Sequence, residues 1–130
     1  MNQGITIECE KECYMPGEII SGKVSWNCTK TPSGIIIELK WNTAGRGTTD
    51  SYVIEKQKVP CSNSFGLVQF EIKIPDDCPP SYSGSLVSIL WSLNARADIS
   101  WAIDPKAAKE IIVSKTGKPM TPPPEYKGEN

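Results

Sequence analysis

The 130-residue sequence predicts an all-β protein, a sandwich of two antiparallel sheets with about seven strands. Three observations support this fold class. Short segments with an apolar residue at every second position recur along the chain, which is the period of a strand with one buried face. Turns rich in proline and glycine separate these segments. No segment keeps the 3.6-residue period of an amphipathic helix.

The first strands alternate in hydrophobicity and are joined by a recognisable turn. Ile5 to Cys9 is the first predicted strand, and it places Cys9 on the core side. Pro16 and Gly17 fit the centre of a type II turn, because proline presets φ and glycine accepts a positive φ. The predicted inward positions of the next two strands are Ile20, Gly22, Val24 and Trp26, and then Ile35, Ile37, Leu39 and Trp41. Ile36 is the exception to this alternation.

The middle of the chain combines a loop with a charged strand. The polar residues 44–50 form the predicted loop. The fourth predicted strand, Tyr52 to Val59, is diluted by the polar run Glu55 to Lys58, and such charges suit the edge of a sheet. An exposed edge near Tyr52 to Lys58 is therefore one predicted place where a partner's strand adds by β-augmentation.

The last three predicted strands enclose a proline-rich corner. The fifth, Val68 to Ile74, alternates and ends at a proline that has no N–H to donate. Residues 76–84 form an irregular corner. The sixth strand, Leu86 to Ala97, is long and apolar enough to lie in the middle of a sheet. The seventh is Ala108 to Val113, and a short helical turn is the most helix expected, at Ala107 to Lys109.

Charge and hydropathy exclude several classes of partner. The 14 basic and 15 acidic residues leave a net charge of −1 without a run of like charges, so no nucleic-acid or membrane-surface binding is expected. The longest near-apolar run, Leu86 to Leu93, is too short to span a bilayer. The N-terminus lacks the pattern of a secretory signal. The chain is therefore predicted to be a soluble cytoplasmic protein.

The residue types give little support for metal or cofactor chemistry. The five cysteines form no CxxC pair and the chain contains no histidine, so free thiols are expected, with no metal site and no cofactor. Gly17 to Val24 resembles a phosphate-binding loop, but valine stands where the magnesium-binding hydroxyl belongs. The β-branched residues of this segment suit a strand better than a loop.

Catalysis is not predicted either. Without histidine, the usual proton acceptor for a serine or cysteine nucleophile is missing. Carboxylate pairs are the remaining candidates, and they comprise Asp76 with Asp77, and the set Glu8, Glu10 and Glu12. Adjacent residues of an extended chain face opposite ways, and the three glutamates fit a solvated strand face. The sequence thus predicts a protein that is not an enzyme.

Three segments in order resemble the arrestin-like domain family over residues 5–114. Tyr14 to Val24 is similar to the tyrosine and Pro-Gly-Glu turn that enter a strand ending in Gly-x-Val. The pair Phe70 to Pro75 and Pro79 to Gly84 resembles the family's phenylalanine strand and its proline, serine, aromatic and glycine corner. Ile89 to Asp98 is similar to the strand that follows this corner.

The resemblance implies an immunoglobulin-like sandwich that binds other proteins and performs no catalysis. The family includes arrestins, the arrestin-related trafficking adaptors, the retromer cargo-binding subunit and bacterial sporulation-control proteins. Residues 1–115 have room for one such domain, whereas the adaptors join two. A scaffold or adaptor role in trafficking or regulation is the function implied.

A proline-rich tail, residues 116–130, follows the predicted domain and favours polyproline II. Pro123, Pro124 and Tyr126 form a PPxY sequence, which fits the aromatic groove of a WW domain. These are the predicted partner-binding residues, and an ordinary solubilising tail is the alternative. Pro79 to Tyr82 also matches PPxY, but it lies in the predicted corner.

A small-molecule or carbohydrate-binding sandwich is the alternative function. Exposed indoles would stack on sugar rings, and the chain has four tryptophans. Trp26, Trp41 and Trp91 fall on predicted inward faces, where a large aromatic side chain contributes to the core. Only Trp101 is predicted to be free for such a role.

Overall fold

The computed structural model describes residues 4–45, 49–83, 87–100 and 104–114. Within these ranges the protein is all-β and contains no helix. The strands are β1 (Gly4–Cys9), β2 (Cys13–Tyr14), β3 (Ile19–Asn27), β4 (Gly34–Gly45), β5 (Thr49–Pro60), β6 (Phe65–Lys73), β7 (Tyr82–Ser83), β8 (Val87–Asp98) and β9 (Lys106–Val113). Accordingly, this part of the chain holds no helix with the length and apolar character needed to cross a membrane.

Two sheets form the sandwich, as the sequence predicts. The smaller sheet has the order β1-β3-β6. The larger has the order β2-β9-β8-β4-β5, with β7 paired to β8. Every pairing is antiparallel except that of β2 with β9. The seven predicted strands are all present, and the two additional strands, β2 and β7, have two residues each, too few to show a period.

The core lies between the sheets and includes the predicted inward residues Ile20, Val24, Ile35, Ile37 and Leu39, whereas Trp26 and Trp41 are only partly buried. Its members from the smaller sheet include Ile5, Ile20, Val24, Phe70 and Ile72, and those from the larger sheet include Ile35, Ile37, Leu39, Trp91, Leu93, Ala95, Ala97, Ile111 and Val113. Cys9 packs against this core, as expected for a thiol that acts as a small hydrophobe. β8 lies between β9 and β4, which confirms its predicted position inside a sheet.

Ile36 breaks the alternation and is nevertheless buried, with 5% of its surface exposed. It lies on the outer face of the larger sheet, between its cross-strand neighbours Lys58 and Arg96. The aliphatic stems of such long side chains cover apolar surface while their charged ends stay in water.

Two local predictions are wrong. Ala107 and Lys109 lie in β9 rather than in a helical turn, because β9 pairs with β8 from Lys106 onward and sheet pairing overrides helix propensity. The predicted loop 44–50 is shorter than expected, since Ala44 pairs with Thr49 at the end of the β4–β5 hairpin.

The turn at Pro16 and Gly17 is confirmed and ties two strands together. Gly17 has a φ of 86°, and the Glu18 N–H donates to the Met15 carbonyl at 3.1 Å, as in a type II turn. The Gly17 N–H also donates to the backbone carbonyl of Ile74 at 3.0 Å, and the Ile74 N–H donates to the backbone carbonyl of Glu18 at 2.9 Å. These hydrogen bonds therefore hold the start of β3 beside the end of β6.

Candidate interaction surface

The most exposed large apolar side chains among the described residues lie on β6. Phe65 is 66% exposed and Leu67 is 57% exposed. Both point to the outer face of the smaller sheet, whereas Val68 and Phe70 pack toward the core. β6 begins at Phe65, three residues before the predicted start, so these two side chains were missed. The sequence pattern that could have indicated them is the run Phe65 to Val68, which has no polar residue on either face of a strand.

The backbone of β6 is open along one side. β6 pairs with β3 and, among the described residues, with no other strand. The Ser64 carbonyl accepts the Cys28 N–H at 2.8 Å on the β3 side. The carbonyl of Glu71 faces the opposite way and accepts Gln57 Nε2 at 2.8 Å.

The two hydrogen bonds at Ser64 and Glu71 also fix the direction of the other backbone groups of β6. Successive residues of an antiparallel strand direct their N–H and C=O groups to opposite sides. Phe65, Leu67 and Gln69 are separated from Glu71 by an even number of positions, so their backbone N–H and C=O groups, like those of Glu71, point away from β3. Their donors and acceptors therefore lie at a sheet edge, where they pair with no other strand in the described ranges, and the side chains of Phe65 and Leu67 are exposed beside them.

An acidic concavity adjoins this edge on the same outer face. It has a volume of about 720 Å³, and its charged lining consists of Glu8, Glu10, Glu71 and Lys23. Lys23 Nζ lies 3.8 Å from Glu8 Oε1. Three carboxylates face one ammonium group, so this part of the surface has a negative balance of charge.

The predicted surface on β5 is also a sheet edge, as the strand order confirms. Val53 is 52% exposed, while the ring of Tyr52 stacks on Trp41 with centroids 4.3 Å apart. The β4–β5 ladder has a register shift between Leu39 and Lys40. A bulge and a charged run both discourage strand addition, so β5 is less suited than β6 to accept a partner strand.

The structure describes one of the two PPxY sequences and not the other. Pro79 to Tyr82 is folded into the corner, where the Pro79 carbonyl accepts Trp91 Nε1 at 2.8 Å and the Ser81 N–H donates to the Val113 carbonyl at 2.7 Å. The tail residues Pro123, Pro124 and Tyr126 lie outside the described residues, and their binding to a WW domain stays a prediction.

The described tryptophans offer little indole surface for stacking on a sugar. Trp91 is fully buried, and Trp41 is half-buried between its contacts with Tyr52 and the core. Trp26 lies over Gly66 and donates from Nε1 to the Asn63 carbonyl at 3.2 Å. Trp101 lies outside the described residues.

A second concavity, of about 400 Å³, lies on the outer face of the larger sheet. Its lining includes Ile36, Glu38, Lys40 and Arg96. Arg96 already pairs with Asp104, with Nη1 3.3 Å from Oδ2. This mixed and open surface favours no particular ligand.

Of the candidate catalytic carboxylates, the structure brings Glu8 and Glu10 to the acidic concavity, whereas Glu12, Asp76 and Asp77 are not part of its lining. The candidate metal-binding residues form no cluster within the described ranges. The five cysteines are free, and burial raises the thiol pKa of Cys28, Cys61 and Cys78, which makes them weak nucleophiles at neutral pH. No group of three or more Cys, Asp or Glu residues in the described part is placed to hold a metal ion. The carboxylates of Glu8, Glu10, Glu12, Asp76 and Asp77 are exposed.

Comparison with known proteins shows the fold rather than a family. No protein-family profile matches the sequence, and no curated protein matches it. Among solved structures, the sporulation control protein Spo0M from Bacillus subtilis matches with a TM-score of 0.69 at 20% identity, over 85% of this chain and 49% of Spo0M. The chain thus spans about half the length of Spo0M. The fold of this chain is therefore an arrestin-like β-sandwich.

Superoxide reductase (neelaredoxin) from Ignicoccus hospitalis also matches, at 18% identity. One structure covers 85% of this chain and 80% of the reductase with a TM-score of 0.49. A point variant covers 86% and 82% with a TM-score of 0.50. The prediction that this chain is not an enzyme, made from the missing histidine and the family resemblance, is wrong, because an enzyme also adopts a similar fold. The likeness shows a shared architecture and does not establish an activity.

Proposed function

We propose that this chain is a protein-binding module of the arrestin-like family, with a regulatory scaffold or adaptor role in the cytoplasm. Residues 1–115 form the binding domain in this proposal, and residues 116–130 form an appended tail. The fold likeness to Spo0M, a sporulation control protein, supports a regulatory role. The resemblance of the Tyr14 to Val24 segment to the entry turn of arrestin-like domains supports the family.

One observation carries the proposal: the exposed apolar pair Phe65 and Leu67 lies on a sheet edge. The backbone groups of Phe65, Leu67 and Gln69 that face away from β3 pair with no other strand in the described part of the chain. Water satisfies such an edge in the isolated protein, but exposed apolar side chains on an open edge strand form a template for another chain. Proteins that recognise extended segments use this arrangement.

Affinity capture from cells of the source organism tests the proposal. The tagged chain is expected to retain a protein that is absent from the tag-only control and that binds the purified chain in a titration with defined stoichiometry. Repeated captures with nothing retained above the control would contradict protein binding. A saturable change in tryptophan fluorescence with an oligosaccharide panel would instead support the carbohydrate-binding alternative.

A further inference from the structure

We infer that the open edge of β6 binds an extended peptide segment of a partner protein, with apolar side chains at alternate positions and a basic residue at the end next to Glu71. The segment adds as a fourth strand to the smaller sheet. This inference rests on the proposed protein-binding function, which it deepens by assigning the surface, the binding mode and the chemistry of the partner.

The length of the segment follows from the two ends of the usable edge. Phe65, the first residue of β6, marks one end. At the other end, Gln57 already occupies the edge-facing carbonyl of Glu71. The free backbone groups therefore run from Phe65 to Gln69, which matches a partner strand of about five residues.

The apolar preference follows from the spacing of the exposed side chains. Phe65 and Leu67 are two residues apart on one face, so their side chains are about 7 Å apart along the strand. Residues directly opposite in a paired strand project to the same face and contact each other. Apolar residues at positions i and i+2 of the partner would cover both side chains.

The basic residue follows from charge complementarity. Gln69 and Glu71 continue the outer face of β6 directly into the acidic concavity. Glu8 and Glu10 line the same concavity, and Lys23 is the ammonium group that opposes them there. A basic side chain two to four residues beyond the apolar pair would lie over this surface, and an acidic one would be repelled.

The extent of the edge argues against a second copy of this chain as the occupant. Stable interfaces between folded proteins bury about 1,600 Å² in total, which a five-residue edge and two apolar side chains do not approach. A symmetric pair would also bring two copies of the acidic concavity to the same sheet. A short peptide gains its affinity from main-chain hydrogen bonds and needs no such area.

Fluorescence anisotropy with a defined probe tests the inference. The probe is labelled Lys-Thr-Val-Thr-Val-Thr-Lys, which presents a basic residue at either end and so suits both strand directions. Its acidic twin replaces both lysines with glutamate and is expected to bind about tenfold more weakly at low salt, a difference that shrinks in high salt. Equal binding of the two peptides would overturn the charge assignment.

Variants of the protein locate the site. Leu67→Lys is expected to weaken binding of the basic probe about tenfold or more, because it removes apolar contact and places a charge on the edge. Leu90→Lys is the matched control, since Leu90 is exposed on β8 of the other sheet, and it should leave binding unchanged. Val53→Lys reports on the β5 edge in the same way. Loss of binding in Val53→Lys but not in Leu67→Lys would overturn the inference.

Two further measurements use the wild-type protein, so they do not depend on whether a variant folds. Hydrogen exchange on the native chain should show new protection of the Phe65, Leu67 and Gln69 amides when the basic probe binds. N-methylation of the probe's valines should abolish binding to an antiparallel site, and N-methylation of its threonines should abolish binding to a parallel one. Retention of binding by both methylated probes, absence of protection on β6, or no binding of the basic probe at millimolar concentration would each overturn it.

Failure of this inference is distinguishable from failure of the proposed function. A partner captured equally by the wild-type chain and by Leu67→Lys would preserve protein binding and remove β6 as the site. Probe binding at β6 without any captured partner would preserve the edge and remove the proposed function.

Discussion

Gly17 is a residue whose identity the turn requires. Its φ of 86° lies in the left-handed region, which costs other residues free energy because their Cβ approaches the following carbonyl. A Cβ at this position would also meet Asp76 Oδ1, but the exposed Asp76 side chain can move aside, so the backbone conformation carries the cost. The turn lies just before β3 and is hydrogen-bonded to Ile74, which follows β6.

Substitution of Gly17 is therefore expected to destabilise the fold. Gly17→Ala should lower the free energy of unfolding by about 1–2 kcal/mol, measured by urea denaturation. Gly4→Ala is the control, because no heavy atom of the described residues other than its chain neighbours lies within 4 Å of its added Cβ. Its effect should stay within about 0.5 kcal/mol. Equal losses in the two variants would contradict this account of the turn.

Tyr14 couples stability to alkaline pH. Its side chain is buried, its hydroxyl oxygen accepts the Lys11 N–H at 3.1 Å, and burial raises its pKa to about 12. Between pH 10 and 12 the unfolded tyrosine releases its proton while the folded one keeps it. The stabilising contribution is thus complete below pH 10 and is lost as the pH rises toward 12.

The expected measurement is the slope of unfolding free energy against pH. Urea denaturation of the wild-type chain should show a fall in stability from pH 10 to 12 that is steeper than the fall in Tyr14→Phe. All other titratable groups are the same in the two proteins, so the difference between the slopes isolates Tyr14. Parallel slopes would show that Tyr14 ionises equally in the folded and unfolded chains.

At the scale of the elements, strand order decides which edges are open. β5 and β6 are both edges, but β5 has the register shift opposite Leu39 and Lys40 and the polar run Glu55 to Lys58. β6 has an uncharged run from Phe65 to Phe70 instead. One edge is thereby protected against strand addition and the other is not.

Strand order also predicts a gradient of local stability. The amides of Ile37 on β4 and Leu93 on β8, which lie on buried interior strands, should exchange most slowly, whereas those of the two-residue strand β2 should exchange fastest. Native-state hydrogen exchange with residue resolution checks this order. Equal protection of β2 and β8 would contradict the strand arrangement.

At the scale of the whole molecule, one core joins both sheets and the corner. Trp91 is fully buried, lies with its ring centroid 6.4 Å from that of Trp41, and reaches the Pro79 carbonyl through Nε1. Core residues of both sheets form one cluster, so we expect the two sheets and the corner to unfold as a single cooperative unit.

The tail is predicted to act independently of that unit. Removal of residues 116–130 should leave the thermal midpoint of unfolding within about 2 °C of the full chain, because polyproline segments add no packed core. In a WW-domain pull-down, the full chain should be captured and Tyr126→Ala should not. Equal capture of both forms would end the WW-domain hypothesis, and a large drop in the midpoint would place the tail in the fold.

The sequence by itself determined the fold class and most of the core. Alternation at Ile35, Ile37 and Leu39 predicts buried positions because side chains of a strand project to opposite faces in turn. The Pro16 and Gly17 turn was equally readable, since its φ requirement is local. Fold class alone did not determine whether the protein is an enzyme, because similar architectures serve different chemistry.

Only the tertiary structure decided which strand edges remain open and which apolar residues stay exposed. Phe65 and Leu67 belong to a run that is apolar on both phases, so periodicity could not tell the covered face from the exposed one. The two-residue strands β2 and β7 exist only through their pairing with β9 and β8. Pairing partners are distant in the chain, and the order in which sheets assemble is a non-local property that no local pattern encodes.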